Sequence, residues 1–246
     1  MSGLIVALRY LTLVPLPGAH AGPPALGRAA GWFPVVGIGL GAFLLAADVL
    51  ARVIFPPLLA ALVVVGAWKL ATGGLHLDGL ADCADGLAGR SPEDRLAIMR
   101  DTRIGAFGTA ALILVLMLDA VALSGIGAAT RWRVLLVVPA IARAAPALLG
   151  RVLPAARPDG LGAAFHAGLG AAPAAVALAV ALVAAVAALG LLGVIVVCAA
   201  WLVALLLGSV MTGRLGGVTG DVHGAAIELS ELTALLTVAA WANVGP

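Results

Sequence analysis

Three aspartates lie close together in a chain that carries few charges. The segment TGGLHLDGLADCADGLAGR, residues 72–90, places Asp78, Asp82 and Asp85 at spacings of four and three residues. On a helix these spacings bring the three side chains into one narrow stripe. Carboxylates this close repel one another, and either protonation or a divalent cation would relieve the repulsion. Such oxygen ligands suit magnesium, which binds through a few carboxylates together with substrate phosphates.

Arginines follow the acidic stripe along the chain. The sequence Ser91-Pro92-Glu93-Asp94 predicts a helix start, with an N-cap serine before a proline. The predicted helix and the residues after it carry Arg95, Arg100, Asp101 and Arg103. Carboxylates for a metal and guanidinium groups for phosphate oxygens are the components of a phosphoryl-transfer site.

A second polar cluster, GGVTGDVHGAAIELSEL, occupies residues 216–232. Its glycine-rich start, which includes Thr219, can offer backbone N–H groups to a phosphate at the beginning of the following helix. Asp221 and Glu228 are seven residues apart and share one helix face, with His223 beside them. The alternative for both acids is a plain helix N-terminus, where acidic side chains interact favourably with the helix dipole.

The composition is that of a membrane protein. Hydrophobic residues make up 63% of the 246 residues, charged residues 11%, and the mean hydropathy is +1.17. A soluble domain is closer to half apolar and a quarter charged. Long apolar runs without alternation predict an all-α, polytopic helix bundle whose partner is the lipid bilayer. No basic run predicts nucleic-acid binding, and Cys83 and Cys198 are too far apart for a metal motif.

Seven apolar segments are long enough to be transmembrane helices. Because the fifth and sixth also fit one broken unit, the predicted range is six to eight. A short interfacial helix is predicted before the first, and the whole chain, residues 1–246, is treated as one domain. The predicted spans are 32–50, 57–72, 104–126, 134–149, 173–189, 191–212 and 225–244.

The arginines are unevenly distributed between the two sides of the predicted membrane. Nine lie on the side of the N-terminus and three on the other, with Arg131 and Arg133 as the discordant pair. The positive-inside rule therefore places the acidic loop in the cytoplasm, as expected for a bacterial inner-membrane protein. The loops after the second, fourth and sixth spans share that side, so we expect them to form one site.

Lys69, Asp119 and Arg143 fall within predicted spans, where a charge is costly. Lys69 lies near the cytoplasmic end of its span, where it either extends to the membrane surface or reaches a phosphate. Asp119 and Arg143 lie deeper, and a structural ion pair between them is favoured over a catalytic role.

Three motifs carry a family resemblance. GGLHLDGLADCADGL, then RLAIMRDTRIGAFG, then GGVTGDVHGAAIEL closely resemble, in the same order, the motif set of the cobalamin synthase (adenosylcobinamide-GDP ribazoletransferase) family. The resemblance spans most of the chain. It implies a magnesium-dependent membrane enzyme that joins adenosylcobinamide-GDP to alpha-ribazole or its 5'-phosphate. The products are GMP and adenosylcobalamin or its 5'-phosphate.

The motifs and the implied reaction together assign candidate roles. Asp78, Asp82, Asp85 and Asp101 are the expected Mg²⁺ ligands, and the last three, with Asp221, are the expected catalytic residues. Asp101 or Asp221 is the expected base for the ribazole 3'-hydroxyl. Substrate or phosphate contacts are predicted for Lys69, His76, Arg95, Arg100, Arg103, Thr219, His223 and Glu228. A homo-oligomer is compatible with the sequence.

Two other interpretations remain at this point. The acids of residues 72–90 can be a solvated loop that merely stays out of the bilayer, although scattered acids would serve that purpose without forming a stripe. Charges within spans and Gly/Pro breaks also fit a transporter of a corrinoid or another small molecule. Transporters, however, usually place polar residues near the membrane midplane and contain internal repeats, and neither pattern is evident here.

Overall fold

The computed structural model describes residues 2–16 and 24–244, which form an all-helical bundle. A 3₁₀ turn at Ala30–Trp32 separates α2 from α3, and an isolated parallel bridge joins Ala155 to Val218. The helices are α1 (Gly3–Leu11), α2 (Pro24–Ala29), α3 (Phe33–Ile54), α4 (Pro57–Ala71), α5 (Leu75–Gly86), α6 (Pro92–Ile98), α7 (Ala106–Gly125), α8 (Ala128–Val152), α9 (Gly160–Gly168), α10 (Ala171–Leu189), α11 (Leu191–Leu215) and α12 (Gly220–Val244).

Six helices, namely α3, α7, α8, α10, α11 and α12, are long and apolar enough to cross a membrane. The shorter α4 joins α5 at a bend of 91°, and counting this pair as one span gives seven. The predicted polytopic bundle is thus confirmed. Gly190, at φ +60°, separates α10 from α11, so the fifth and sixth predicted spans are two helices rather than one broken unit.

The core of the bundle forms around α8, which packs against α3, α10, α11 and α12. Helix α3 approaches α8 closely, because Gly37 and Gly41 face the α8 backbone. A Cβ at Gly37 would lie 2.6 Å from the Pro139 carbonyl oxygen, and one at Gly41 would lie 2.5 Å from that of Leu136. Small residues at such crossings let membrane helices pack backbone to backbone.

At one end of the bundle, a buried ion pair explains Arg131, one of the two discordant arginines. Arg131 donates to the Asp48 carboxylate at 2.5 Å and 2.9 Å and also to the Leu123 carbonyl. Arg133 lies 5.2 Å from the centre of the Trp132 ring. Arg131 therefore links α3, α7 and α8, and as a buried residue it is weak evidence for which side of the membrane this end of the bundle faces.

A buried ionic cluster of Lys69, Asp119, Arg143, Glu228 and Glu231 joins α4, α7, α8 and α12. The Lys69 ammonium lies 2.5 Å from Glu228, 2.7 Å from Glu231 and 3.6 Å from Asp119. Arg143 donates to Glu231 at 2.8 Å and to the Pro139 carbonyl at 3.0 Å. The predicted Asp119–Arg143 pair is therefore wrong, because Lys69 and Glu231 are their respective partners.

Candidate active site

A cavity of about 260 Å³ lies at the end of the bundle opposite the Asp48–Arg131 pair. Its walls come from the end of α1, the start of α5, the segment 157–165 that leads into α9, and the segment 218–227 at the start of α12. The three loops that were expected to form one site therefore do meet. Charged side chains and histidines on its walls are His76, Asp78, Arg157, Asp159, Asp221 and His223.

The acidic stripe lies on α5, whose predicted helical conformation is confirmed. Asp78 is exposed to the cavity and Asp82 is half-buried one turn later. Gly79 packs on the backbone of Asp221, and a Cβ there would lie 2.6 Å from the Asp221 carbonyl oxygen. This close approach of α5 to α12 brings the stripe beside Asp221.

The carboxylates crowd one another at Asp82. Helix α5 is turned away from α4 and lies outside the six long apolar helices. Burial, and then the negative charges of Asp78, Asp221 and Asp85, raise the pKa of Asp82 to about 7. A carboxylate in this environment gains from a nearby cation, since a positive charge would favour its ionised form.

Asp85 faces the start of α7. Its carboxylate accepts hydrogen bonds from the backbone N–H groups of Gly105, at 2.7 Å, and Gly108, at 2.8 Å. A Cβ at either glycine would collide with the Asp85 carboxylate. Asp85 therefore caps the N-terminus of α7, a role that sequence analysis did not assign to it.

Residues after the stripe lie away from the cavity walls. Asp101 is exposed and pairs with Arg103 at 2.5 Å, so that the Arg103 guanidinium lowers the Asp101 pKa to about 2. Arg100 is also exposed, and Arg95 donates to the Arg214 carbonyl at 3.4 Å. The structure does not bring Asp101 together with Asp78 and Asp82.

The start of α12 forms another wall of the cavity. The Thr219 hydroxyl donates to the Asp221 carboxylate at 3.1 Å and accepts from the Val222 N–H at 3.3 Å. His223 is buried, and its Nε2 lies 3.1 Å from Nε2 of His166. Sequence analysis missed His166, because nothing in its spacing connects a lone histidine on α9 to residues 216–232.

The remaining predicted contacts divide into two groups. His76 is buried on the cavity wall, and neither of its ring nitrogens has a hydrogen-bond partner in the described part of the chain. Burial and the nearby charges of Arg143 and Lys69 lower its pKa. Lys69 and Glu228, by contrast, belong to the buried ionic cluster and do not line the cavity.

The carboxylates suit a magnesium ion in their chemistry but do not form a complete ligand set. Within residues 2–16 and 24–244, no group of three or more Asp, Glu, His or Cys side chains is arranged to hold a metal. Mg²⁺ commonly uses only one or two carboxylates, with waters and substrate phosphates as its other ligands. Asp78, Asp82 and Asp221 provide oxygen donors of this kind, so the residues fit such an ion.

Comparisons with known proteins agree with the motif resemblance. A family model described as cobalamin-5-phosphate synthase matches residues 3–239. A Geotalea daltonii protein named adenosylcobinamide-GDP ribazoletransferase is 39% identical over 237 residues, which cover 96% of each chain. Proteins of the same name from Roseiflexus sp. and Thiobacillus denitrificans are 40% and 41% identical, over 94% and 96% of this chain and 87% and 94% of theirs.

No solved structure matches the chain. The family model and the relatives nevertheless cover all three motifs, the helices that carry them and the cavity that the first and third motifs line. The relatives' names indicate a transferase rather than the transporter that sequence analysis left open. The chain belongs to the cobalamin-5-phosphate synthase family.

Proposed function

We propose that this protein joins adenosylcobinamide-GDP to alpha-ribazole or alpha-ribazole 5'-phosphate and releases GMP. The observation that carries the proposal is the cavity lined by Asp78 of α5 and Asp221 of α12, with Asp82 close enough to both for their charges to raise its pKa. These residues belong to the first and third of the three family motifs. The relatives' name supplies the activated substrate and the transferred group.

In this reaction the ribazole 3'-oxygen forms a bond to the phosphorus that carries the cobinamide. The bond between that phosphorus and the oxygen of the GMP leaving group breaks. One proton must leave the 3'-hydroxyl, and GMP accepts the electron pair of the broken bond. The residues of the site must therefore bind a diphosphate, accept a proton and favour the departure of an anion.

Asp221 is the candidate base. Its carboxylate lies on the cavity wall and is oriented by the Thr219 hydroxyl, whereas Asp101, the other predicted base, lies outside the cavity. Asp78 and Asp82, with Asp221, are the candidate residues for Mg²⁺. When bound, the ion would neutralise charge on the diphosphate and on the departing GMP.

The site is proposed to face the cytoplasm of a bacterial inner membrane. The asymmetry of nine arginines to three supports this orientation. Arg131 belongs to the minority group and is buried in an ion pair, so the exposed charges are still more one-sided. Nucleotide substrates would then reach the cavity without crossing the bilayer.

The test is GMP release by purified protein in detergent, with and without magnesium. Asp82→Asn and Asp78→Asn should each lower turnover by roughly 100-fold or more. Each removes a negatively charged carboxylate that is proposed to hold the magnesium ion against the diphosphate. Glu93→Gln, an exposed acid on α6, is the matched control and should retain turnover. Near wild-type turnover by both aspartate variants, with unchanged melting temperatures, would rule out the proposed roles.

A further inference from the structure

One cation lies among the acids of the cavity. Asp78, Asp159 and Asp221 contribute carboxylates, and Arg157 is the only arginine or lysine that lines the cavity among the described residues. The arginines that the motifs suggested for phosphate binding, on and after α6, do not reach the walls. Any phosphoryl group that enters the cavity therefore meets Arg157 as its positively charged partner.

The backbone before Arg157 is fixed against the glycine-rich loop. The Ala156 N–H donates to the Val218 carbonyl at 2.9 Å, and the Val218 N–H donates to the Pro154 carbonyl at 2.8 Å. Gly217 permits this approach, because a Cβ there would lie 2.5 Å from the Ala156 nitrogen. Arg157 directly follows this bridge, so its Cα position is tied to the start of α12.

The Arg157 guanidinium has hydrogen-bond donors that no protein group uses. Its Nε and Nη2 atoms are buried and have no partner in the described residues. Asp221 is close enough to interact electrostatically with Arg157, yet no ion pair within 4.0 Å joins these two residues. Buried donors without partners are costly, and a planar guanidinium matches two oxygens of a phosphate.

We propose that Arg157 and the adjoining loop form a phosphoryl-binding subsite in the cavity. This inference rests on the proposed function for the identity of the ligands, which offer two sources of the same chemistry. One is the diphosphate of adenosylcobinamide-GDP, and the other is the 5'-phosphate of alpha-ribazole 5'-phosphate. Arg157 would turn its unpartnered donors onto two phosphate oxygens and would hold the anion beside Asp78 and Asp221.

The first measurement needs no catalysis. Inorganic pyrophosphate and GDP, each added with magnesium to the purified full-length protein, should raise its melting temperature. Arg157→Met should lose this shift, Arg157→Lys should keep part of it, and Arg90→Met should keep all of it. Arg90 is an exposed arginine outside the cavity walls, which makes it the matched control. No shift in the wild type, or an equal shift in Arg157→Met, would overturn the subsite.

The second measurement identifies the source of the phosphate. Initial rates of GMP release give KM for adenosylcobinamide-GDP, for alpha-ribazole and for alpha-ribazole 5'-phosphate. Loss of a bidentate charged contact should raise the affected KM by roughly 10- to 100-fold. A rise for adenosylcobinamide-GDP assigns the diphosphate, whereas a rise for alpha-ribazole 5'-phosphate alone assigns the incoming nucleotide.

The two measurements separate failure of the inference from failure of the proposed function. If the wild type releases no GMP but shows the Arg157-dependent shift with pyrophosphate, the subsite stands and the proposed reaction fails. If GMP is released and all three KM values of Arg157→Met stay within about twofold of the wild type, the subsite is refuted. Arg157→Lys guards against misfolding, because it keeps the charge but not the planar pair of donors.

Discussion

Lys69 is the residue whose replacement best separates a structural role from substrate binding. It contributes one of the two cations in the buried ionic cluster, which also contains three carboxylates. Lys69→Met keeps most of the side-chain volume but raises the formal charge of the cluster from minus one to minus two. Glu228 and Glu231 would lose a partner at 2.5 Å and 2.7 Å.

The expected loss in the free energy of unfolding of Lys69→Met follows from the burial of all the residues that Lys69 contacts in the cluster. Breaking a buried ion pair by removing one member costs about 3–5 kcal/mol, because the remaining charge stays buried and uncompensated. For a chain of this size that corresponds to a fall of roughly 6–20 °C in melting temperature. The double variant Lys69→Met/Glu228→Gln restores the formal charge of minus one, and it should recover most of the loss.

The assay is thermal unfolding in detergent, run beside the kinetics of GMP release. Leu70→Met is the matched control, since Leu70 is the next residue and is 74% exposed. A Lys69→Met protein that melts within about 2 °C of the wild type while its KM for adenosylcobinamide-GDP rises would refute this reasoning. That result would instead support the phosphate contact that the sequence left open for Lys69.

Three further outcomes are expected. Asp85→Ala removes the cap of α7 at Gly105 and Gly108 and should cost about 1–2 kcal/mol, read as a lower melting temperature; an unchanged value would contradict the capping role. Burial lowers the pKa of His166, so unfolding takes up protons in acid, and the melting temperature should fall as pH drops through about 6.5. His166→Gln should make that dependence less steep, with the remaining slope due to the buried His76 and His223, and an equally steep pH profile would be evidence against a contribution from His166. Asp48→Asn leaves Arg131 buried without its charged partner and should lower the free energy of unfolding by about 3–5 kcal/mol. Arg52→Gln removes an exposed partner of the same carboxylate and should lower it by less than about 0.5 kcal/mol. Equal losses of stability in the two variants would refute this distinction.

Sequence patterns predicted the parts of the fold that depend on local composition. Hydropathy located the spans, and the spacing of Asp78, Asp82 and Asp85 predicted a helix that the structure contains. The alternation of loops between the two sides of the membrane predicted that three segments would share one end. These inferences succeeded because hydrophobic length and helical periodicity are properties of short stretches of chain.

Such local patterns cannot identify residues that pair in the fold but lie far apart in the sequence. Lys69 and Glu228 are separated by 159 residues, and only the tertiary fold brings the end of α4 within reach of α12 and makes them a pair. Asp85 belongs to the same stripe as Asp78, yet a small difference in angle directs it to the N-terminus of α7. Arg157 is a positively charged residue in a loop that was expected at the site. Its guanidinium donors without hydrogen-bond partners, however, are a property of the folded structure that the sequence does not show.

The order of synthesis gives the buried ionic cluster a consequence for assembly in the membrane. Lys69 and Arg143 leave the ribosome long before Glu228 and Glu231. Asp119, which lies between the two cations in the sequence, is the only carboxylate of the cluster that is synthesised before α12. Until α12 inserts, two cations share a single counter-ion in the bilayer, which is costly. The arrival of α12 supplies Glu228 and Glu231 as partners for the two cations, which changes the formal charge of the cluster from plus one to minus one, and it completes the cavity wall at Asp221 in the same event. A nascent chain that lacks its last helix therefore holds Lys69 and Arg143 in the bilayer without the glutamates that pair with them in the finished protein.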